Sequence, residues 1–259
     1  MLSCALLVAL PVHAQEAQTV GLGGAGAASP WAPASLNPAA PGHREEPSLT
    51  LSVHQPYGLP ALRAANAALV LPLRVVVLGA DLRALGQTPY QEHHWAFSAA
   101  ATWTLPGGRR LRLGVRSALH QVSIAGYGQA RAVGLSVGWL APLTPFLDAG
   151  CSATNLNRPR WTRHSALPTG LQCGLAYRLP ADVHVVADVR KEAAHPAEVA
   201  GGVAVTLASA LIVRVGLTTW PVRTALGLSI DLGIGHVHLG ADQHPDLGWS
   251  PTLTLELAW

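Results

Sequence analysis

The sequence has few charged residues and no long apolar run. Of its 259 residues only 12% are charged, while 49% are hydrophobic and the mean hydropathy is +0.28. A helical membrane protein would contain runs of about 18 or more apolar residues, and none is present. The net charge is only +3 and the arginines are scattered, which argues against a nucleic-acid-binding protein. No linker-like shift in composition divides the body of the chain, so we expect one domain there.

Cysteine is also scarce, with Cys4, Cys151 and Cys173 the three examples. Cys4 lies in a leader that we expect to be removed, which leaves two cysteines. Counting outward from the residues between them makes Cys151 and Cys173 near opposites on adjacent antiparallel strands, where a disulfide can form in an oxidising compartment. We favour the simpler interpretation, in which both are small apolar side chains that face lipid. Two cysteines without clustered partners do not predict a metal site.

Apolar and polar residues alternate at the C-terminus. From Thr252 to Trp259, the side chains of Leu253, Leu255, Leu257 and Trp259 share one face, and the threonines, glutamate and alanine between them share the other. A barrel in lipid needs apolar side chains outside and polar side chains toward a hydrated lumen. The pattern therefore predicts an all-β fold, a transmembrane antiparallel β-barrel of the outer-membrane type. A soluble β-sandwich, which shows the same period of two, is the main alternative.

Alternating segments recur along the whole body of the chain and predict about fourteen strands. They lie near residues 48–55, 63–71, 74–85, 92–105, 109–123, 130–140, 145–155, 168–178, 181–191, 197–207, 210–219, 222–234, 236–243 and 250–259. Short and longer connections alternate between them, as in bacterial barrels whose two chain ends lie on the periplasmic side.

Charged residues fall on the parity opposite to the aliphatic ones, toward the predicted lumen. A charge on the lipid face near the midplane would cost roughly 2–4 kcal/mol. The lumen-facing candidates are Arg110, Arg112, Arg116, Arg214 and Asp188. We expect an ion-pair network that holds the lumen contents; alternatively, the arginines attract the carboxylate of a passing molecule.

Aromatic residues fall where a lipid interface would place them. Trp103, Trp139, Tyr177 and Trp259 have lipid-facing parity near the predicted periplasmic strand ends, and Trp95 lies near the other end of the strand that holds Trp103. At the rise of a tilted strand, Trp95 and Trp103 are separated by on the order of 20 Å, close to the height of the apolar band.

The chain divides into three predicted parts. Residues 1–14 contain a short apolar run and a small-residue cleavage pattern, typical of a secretory signal peptide. Residues 48–259 form the predicted barrel. Between them, residues 15–47 are rich in glycine and alanine, which lets a backbone pack tightly inside a lumen.

The intervening segment resembles the start of the FadL superfamily of outer-membrane proteins. The matching residues are Gly23, Gly24 and Gly26 of a Gly-Gly-Ala-Gly-Ala stretch, and Asn37, Pro38 and Ala39 of an Asn-Pro-Ala motif. In that superfamily these motifs belong to an N-terminal hatch that folds back into the barrel. The resemblance therefore implies a hatch, or plug, formed here by residues 15–47.

The other end of the chain resembles the PorV/PorQ-like branch of the superfamily, through residues 239–248 and the final strand. This resemblance implies a binding partner in type IX protein secretion. The alternative is a FadL-like transporter of hydrophobic compounds such as long-chain fatty acids. Either protein would be a monomeric barrel in the outer membrane of a Gram-negative bacterium, in contact with lipid and with secretion-system proteins or a hydrophobic small molecule.

No pattern in the sequence predicts an enzyme, a cofactor or a metal ion. Gly21, Gly23 and Gly26 have the spacing of a dinucleotide fingerprint, but no buried strand precedes them and no βαβ unit follows. His236 and His238 share one strand face without a third ligand, so we expect solvated lumen or turn histidines there.

Overall fold

The computed structural model describes residues 16–162, 165–193 and 195–259, and within them fourteen strands close into one antiparallel barrel. The strands are β1 (Ser48–His54), β2 (Ala64–Pro72), β3 (Val76–Gln87), β4 (Tyr90–Thr104), β5 (Arg110–Ile124), β6 (Gly128–Pro142), β7 (Leu147–Thr154), β8 (Arg160–Thr162), β9 (Ser165–Ala166), β10 (Gly170–Leu179), β11 (Val183–Glu192), β12 (Glu198–Ala208), β13 (Leu211–Thr219), β14 (Val222–Asp231), β15 (His236–His244) and β16 (Gly248–Ala258). The two strands outside the barrel, β8 and β9, pair with each other.

Each barrel strand pairs with its neighbours in chain order, and β1 closes the sheet against β16. The closing register places Ser48 opposite Ala258 and His54 opposite Thr252. The predicted fold class is confirmed, and each predicted strand corresponds to a barrel strand with ends that differ by a few residues. The hairpin β8–β9, in the connection between β7 and β10, was not predicted.

The final strand shows how the period of two places its side chains. Leu253, Leu255 and Leu257 are 42–43% exposed on the outside, whereas Thr254 and Glu256 are buried on the inside. Closure gives every barrel strand a partner on both sides, although β6 extends beyond β7 over residues 128–136. The outer face is therefore an apolar belt.

No helix in the described residues is both long and apolar enough to cross a membrane. A five-residue helix, α1 (Ala17–Gly21), and a 3-10 turn (Ala40–His43) precede the barrel. The predicted signal peptide, residues 1–14, lies outside the described residues.

The connections define two ends of the barrel. The lower end holds the start of β1, the end of β16 and turns such as 105–109 and 209–210. The upper end holds short connections at 88–89 and 220–221 and the longest one, residues 155–169.

Cys151 and Cys173 lie directly opposite each other on β7 and β10, and their sulfurs are bonded. Their Cα atoms are 4.0 Å apart. The favoured expectation of two unbonded cysteines is therefore wrong, because the register places the side chains within bonding distance. The disulfide joins the two strands that carry the 155–169 connection.

The aromatic residues predicted for the interface lie on the outer face. Trp103, Trp139, Tyr177 and Trp259 are all exposed there, toward the lower end. Trp95 has the same parity nearer the upper end, and its ring stacks on that of His93.

Candidate functional site

The residues before β1 pack against the inner faces of the barrel strands. We call residues 16–47 the N-terminal segment. Most of its apolar side chains are buried, and α1 contacts β13, β14, β15 and β16. Asp188, Thr218 and Thr254, all inward-facing, donate or accept hydrogen bonds to its backbone. The lumen is thus occupied by a short stretch of mainly irregular backbone.

Seven glycines of the barrel strands form the surface on which this backbone rests. We call them the glycine belt. Its members are Gly114, Gly138, Gly150, Gly202, Gly216, Gly227 and Gly240. A Cβ at Gly202 would lie 2.8 Å from the Cα of Leu22, and one at Gly240 would lie 2.6 Å from the carbonyl oxygen of Ala17. Glycine inside a strand often marks such a close approach of a second backbone.

Asp188 of β11 binds the glycine-rich stretch of the segment. Its Oδ2 accepts hydrogen bonds from the backbone N–H groups of Gly26 at 2.9 Å and Ala27 at 2.8 Å. The side chain of Gln172 donates to the same oxygen at 2.6 Å. Arg190 donates to the carbonyl oxygen of Gly24 at 2.9 Å. Bonds to an ionised group are stronger than neutral ones, so this cluster is a principal anchor of the segment.

Asn37 joins the two motifs that were singled out in the sequence. Its side-chain amide donates to the carbonyl oxygens of Ala27 at 2.6 Å and Trp139 at 3.1 Å, and its Oδ1 accepts from the N–H of Ala39 at 3.0 Å. Pro38 packs against Gly114 and Gly138 of the glycine belt. The Gly-Gly-Ala-Gly-Ala stretch and the Asn-Pro-Ala motif are therefore held together within the lumen.

Glu256 of β16 binds both ends of the segment. Its carboxylate accepts from the side chain of Gln18 at 3.1 Å and from Arg44 at 2.5 Å. Burial raises the pKa of Glu16 to about 8, and the Glu256 carboxylate adds to this rise. Glu16 thus favours its neutral form, next to a carboxylate that is already paired.

The other predicted lumen arginines lie in different surroundings. Arg110 is exposed at the lower end, and Arg112 lies beside Gly42 of the N-terminal segment. Arg116 forms an ion pair with Asp81, with 2.6 Å between Nη2 and Oδ1. Arg214 is buried and donates to Ser229. They therefore do not meet at one site.

A cavity of about 450 Å³ occupies the upper half of the lumen. We call it the upper cavity. Its floor is the N-terminal segment at Ser35 and Leu36, and Trp161 and Leu167 of the 155–169 connection also line it. Val122 of β5 adds a further apolar side chain to the lining. The volume lies in the range of small-molecule binding sites, about 300–1,000 Å³.

Polar side chains surround Val122 on the inner faces of β4 and β5, where Glu92 lies directly opposite it in the strand register. Glu92 accepts hydrogen bonds from Tyr90 and lies 3.2 Å from the ring of His94. The His94 ring meets that of His120 edge-to-face at 4.5 Å, and His120 lies 6.1 Å from Trp161. Among the described residues, neither ring nitrogen of the buried His120 has a hydrogen-bond partner. The cavity therefore offers an unpaired polar group beside its apolar lining.

None of these polar cavity residues was predicted from the sequence. Tyr90, Glu92 and His94 do follow the period of two on β4, so their shared inward parity was a usable signal. Their proximity to His120 and Trp161 depends on strand register and on the path of the 155–169 connection, which the sequence pattern does not reveal.

Two asparagines hold the 155–169 connection over the barrel. The Asn155 amide donates to the carbonyl oxygen of Pro168 at 2.7 Å. Asn157 donates to the carbonyl of Val133 at 2.7 Å and accepts from the N–H of Leu135 at 2.9 Å, which continues the pairing of β6 beyond β7. The roof of the upper cavity is thus attached to the barrel wall.

Three other histidines, two of which were considered as metal ligands, lie apart from this cavity. His184 packs edge-to-face on Trp31 at 4.6 Å. His238 is bonded to Ser229 at 2.6 Å, and the rings of His236 and His238 stack at 5.9 Å. In the part of the chain that the structure describes, no group of three or more His, Cys, Asp or Glu residues could hold a metal ion.

Comparison with known proteins identifies solved structures with the same architecture. The CymD monoaromatic hydrocarbon channel matches with a TM-score of 0.64 and 12% identity, over 94% of this chain and 96% of that one. The P. putida toluene transporter TodX matches with a TM-score of 0.62 and 11% identity, over 94% and 98%. A Pseudomonas aeruginosa FadL homologue matches with a TM-score of 0.56 and 10% identity, over 94% and 97%. The fold is that of these barrels.

No protein-family model and no curated protein matches the chain. The structural likeness extends over nearly all of each chain, so it concerns the complete barrel. The FadL-like expectation is supported at the level of fold. These structures give no support to the PorV/PorQ-like expectation.

Proposed function

We propose that this protein is an outer-membrane transporter of small hydrophobic compounds, in which the N-terminal segment acts as the hatch. The observation that carries the proposal is the upper cavity, a space of about 450 Å³ with apolar residues in its lining and a floor formed by that segment. The fold shared with a toluene transporter and a hydrocarbon channel is consistent with it. We place the lower end at the periplasm, because both barrel termini lie there.

The lining of the upper cavity fits this class of compound. Several charged groups in it are paired within the protein, as Arg116 is with Asp81 and Glu92 with Tyr90. The apolar residues Leu36, Val122 and Leu167 are available as contact surface for a hydrophobic compound, together with the ring of His120. The barrel would act as a monomer, with lipid around its apolar belt.

A role in type IX secretion has less support. Binding exported proteins would require a surface at the upper end, where connections such as 88–89 and 220–221 are very short. The longest connection, 155–169, lines the upper cavity. No feature of the described residues favours the secretion role over transport.

The proposal is tested by removing the aromatic side chain that lines the upper cavity from above. Trp161→Ala should weaken the binding of toluene to the protein in lipid nanodiscs about tenfold, as expected for the loss of one aromatic contact. It should also slow toluene uptake by cells that depend on this protein. Trp249→Ala is the matched control, since Trp249 is exposed and does not line the cavity.

Unchanged toluene binding in Trp161→Ala, with the barrel folded, would contradict the assignment of the binding site. Failure of the unaltered protein to bind either toluene or decanoate would contradict the transport function itself.

A further inference from the structure

The N-terminal segment is attached unevenly to the barrel wall. The glycine belt lies on β5, β6 and β7 and on β12, β13, β14 and β15. The anchors Asp188, Thr218 and Glu256 lie on β11, β13 and β16. We call these strands, β5–β7 and β11–β16, the packed side. No glycine of the belt lies on β1, β2, β3 or β4, which we call the open side.

Three cavities follow one another down the open side. The upper cavity reaches Asn66, Asp81 and Glu16, and a middle cavity of about 50 Å³ is lined by the same three residues. The middle cavity also reaches Arg44, which lines a lower cavity of about 540 Å³ at the lower end. Shared lining residues show that the three spaces are consecutive along the inner faces of β2, β3 and β4.

The middle cavity is the narrow point of this series. Small side chains, Ala68 and Ser98, line its barrel side together with Gly79. A Cβ at Gly79 would collide with the Ser98 hydroxyl, so the absence of a side chain there keeps the space open. The Asp81 carboxylate, held by Arg116, marks the junction with the upper cavity.

We propose that a solute passes from the upper cavity to the lower end along the open side, while the N-terminal segment stays bound to the packed side. The proposal rests on the transport function for what enters the upper cavity. The anchors on the packed side need not break, because the space that must widen lies between the segment and β2–β4. The bond that must open there runs from Thr102 Oγ1 of β4 to the carbonyl oxygen of Gly42, at 3.2 Å.

The lining of the middle cavity indicates which molecules this route favours. Asn66, Asp81 and Ser98 line its barrel side, and Trp31 and Pro33 of the segment line it together with Glu16 and Arg44, so hydrogen-bonding groups lie beside apolar ones. A long unbranched chain would gain little from the hydrogen-bonding groups. The route therefore favours small molecules that carry a hydrogen-bonding group, such as a small aromatic acid.

Cysteine labelling can test the route without knowledge of the natural substrate. Both cysteines of the barrel are bonded to each other, so an introduced thiol would be the reactive one there. Ala68→Cys places it in the middle cavity on the open side. Ala204→Cys is the matched control, because Ala204 is buried on the packed side in a cluster that includes Leu22. Both alanines lie four residues from the lower end of their strands, so the two thiols would lie at a similar depth.

In proteoliposomes, a small membrane-impermeant methanethiosulfonate should label Ala68→Cys at least about tenfold faster than Ala204→Cys. Reaction of Ala68→Cys with the methanethiosulfonate should also reduce the uptake of radioactive benzoate by at least about tenfold. Equal labelling of the two variants would overturn the proposal, as would labelled Ala68→Cys with unchanged uptake. Loss of toluene binding would contradict the transport function but leave the labelling difference intact.

Discussion

The two sides of the lumen differ in how closely a second backbone approaches the strands. On the packed side, α1 approaches the wall so closely that a Cβ at Gly227 would lie 3.0 Å from the Cα of Gly21. On the open side, Ala68, Asp81 and Ser98 line a cavity at a similar depth. A barrel of fourteen strands is wider than one short segment can fill, so the segment is packed against part of the wall and leaves space along the rest.

The difference between the two sides shows that glycines and polar side chains hold the N-terminal segment in different ways. The glycine belt permits contact between backbones, and polar side chains such as Asp188 and Thr218 satisfy the segment's N–H and carbonyl groups. Irregular backbone within a barrel needs such partners, because unpaired buried polar groups are costly. Substituting an anchor and substituting a glycine of the belt should therefore weaken the attachment of the segment by different amounts.

The largest effect is expected from Asp188→Ala. The change removes three hydrogen bonds to one carboxylate oxygen and leaves the N–H groups of Gly26 and Ala27 without that acceptor. We expect detachment of the segment to become easier by on the order of 3 kcal/mol. Limited proteolysis of residues 16–47 in the folded barrel would measure this as roughly a hundredfold faster cleavage.

Asp246→Ala is the control for this change, because Asp246 is exposed in the turn between β15 and β16. Cleavage of Asp188→Ala at the unaltered rate would show that the packed side does not depend on this anchor.

A somewhat smaller effect is expected from Gly202→Val. Its Cβ would lie 2.8 Å from the Cα of Leu22, so the segment must shift, at a cost of about 2 kcal/mol. Gly201→Val is a matched control in the same strand, since a Cβ there meets only the Val186 carbonyl oxygen, at 3.4 Å. Limited proteolysis of residues 16–47 should be faster in Gly202→Val than in Gly201→Val. Equal rates in the two variants would show that the glycine belt does not determine how the segment is attached.

Thr218→Val should have a weaker effect. It removes one neutral hydrogen bond, from Oγ1 to the carbonyl oxygen of Gly23 at 2.8 Å, at a cost of about 1 kcal/mol. The adjacent Thr219→Val removes a bond of the same kind on the outer face, from the N–H of Val199 at 2.9 Å. Amide hydrogen exchange of Gly24 and Ala25 should quicken in the first variant and not in the second.

The strands were predictable because their signal is local. The alternation of Leu253 with Thr254, for example, follows from strand geometry alone. The inward glycines carried a signal of the same kind, since a glycine within a strand pattern often marks a close backbone approach. The contact between His120 and Trp161 in the upper cavity had no such signal, because the two rings come together through strand register and the path of a long connection.

The disulfide shows where the local signal ends. The near-opposite placement of Cys151 and Cys173 was expected, and the structure places them directly opposite. Whether their sulfurs are bonded depends on the separation of the two strands at that point, where the Cα atoms are 4.0 Å apart. Periodicity predicts which residues face each other but not that distance.

The smallest expected effect concerns pH and the first turn of the segment. Burial raises the pKa of Glu16 from its ordinary value of 4.5 to about 8, with Glu256 adding to the rise. We call the state in which the segment is bound inside the barrel the packed state. An acid whose pKa is raised in the packed state stabilises that state while the acid is protonated. Its contribution is therefore fully present below pH 4.5 and is lost as the pH rises through 8.

Amide exchange across α1, compared between the unaltered protein and Glu16→Gln at each pH, should show a growing difference over this interval. A constant ratio would mean that Glu16 is ionised in the packed state, and the start of the segment would then be held by Glu256 through Gln18 and Arg44 alone.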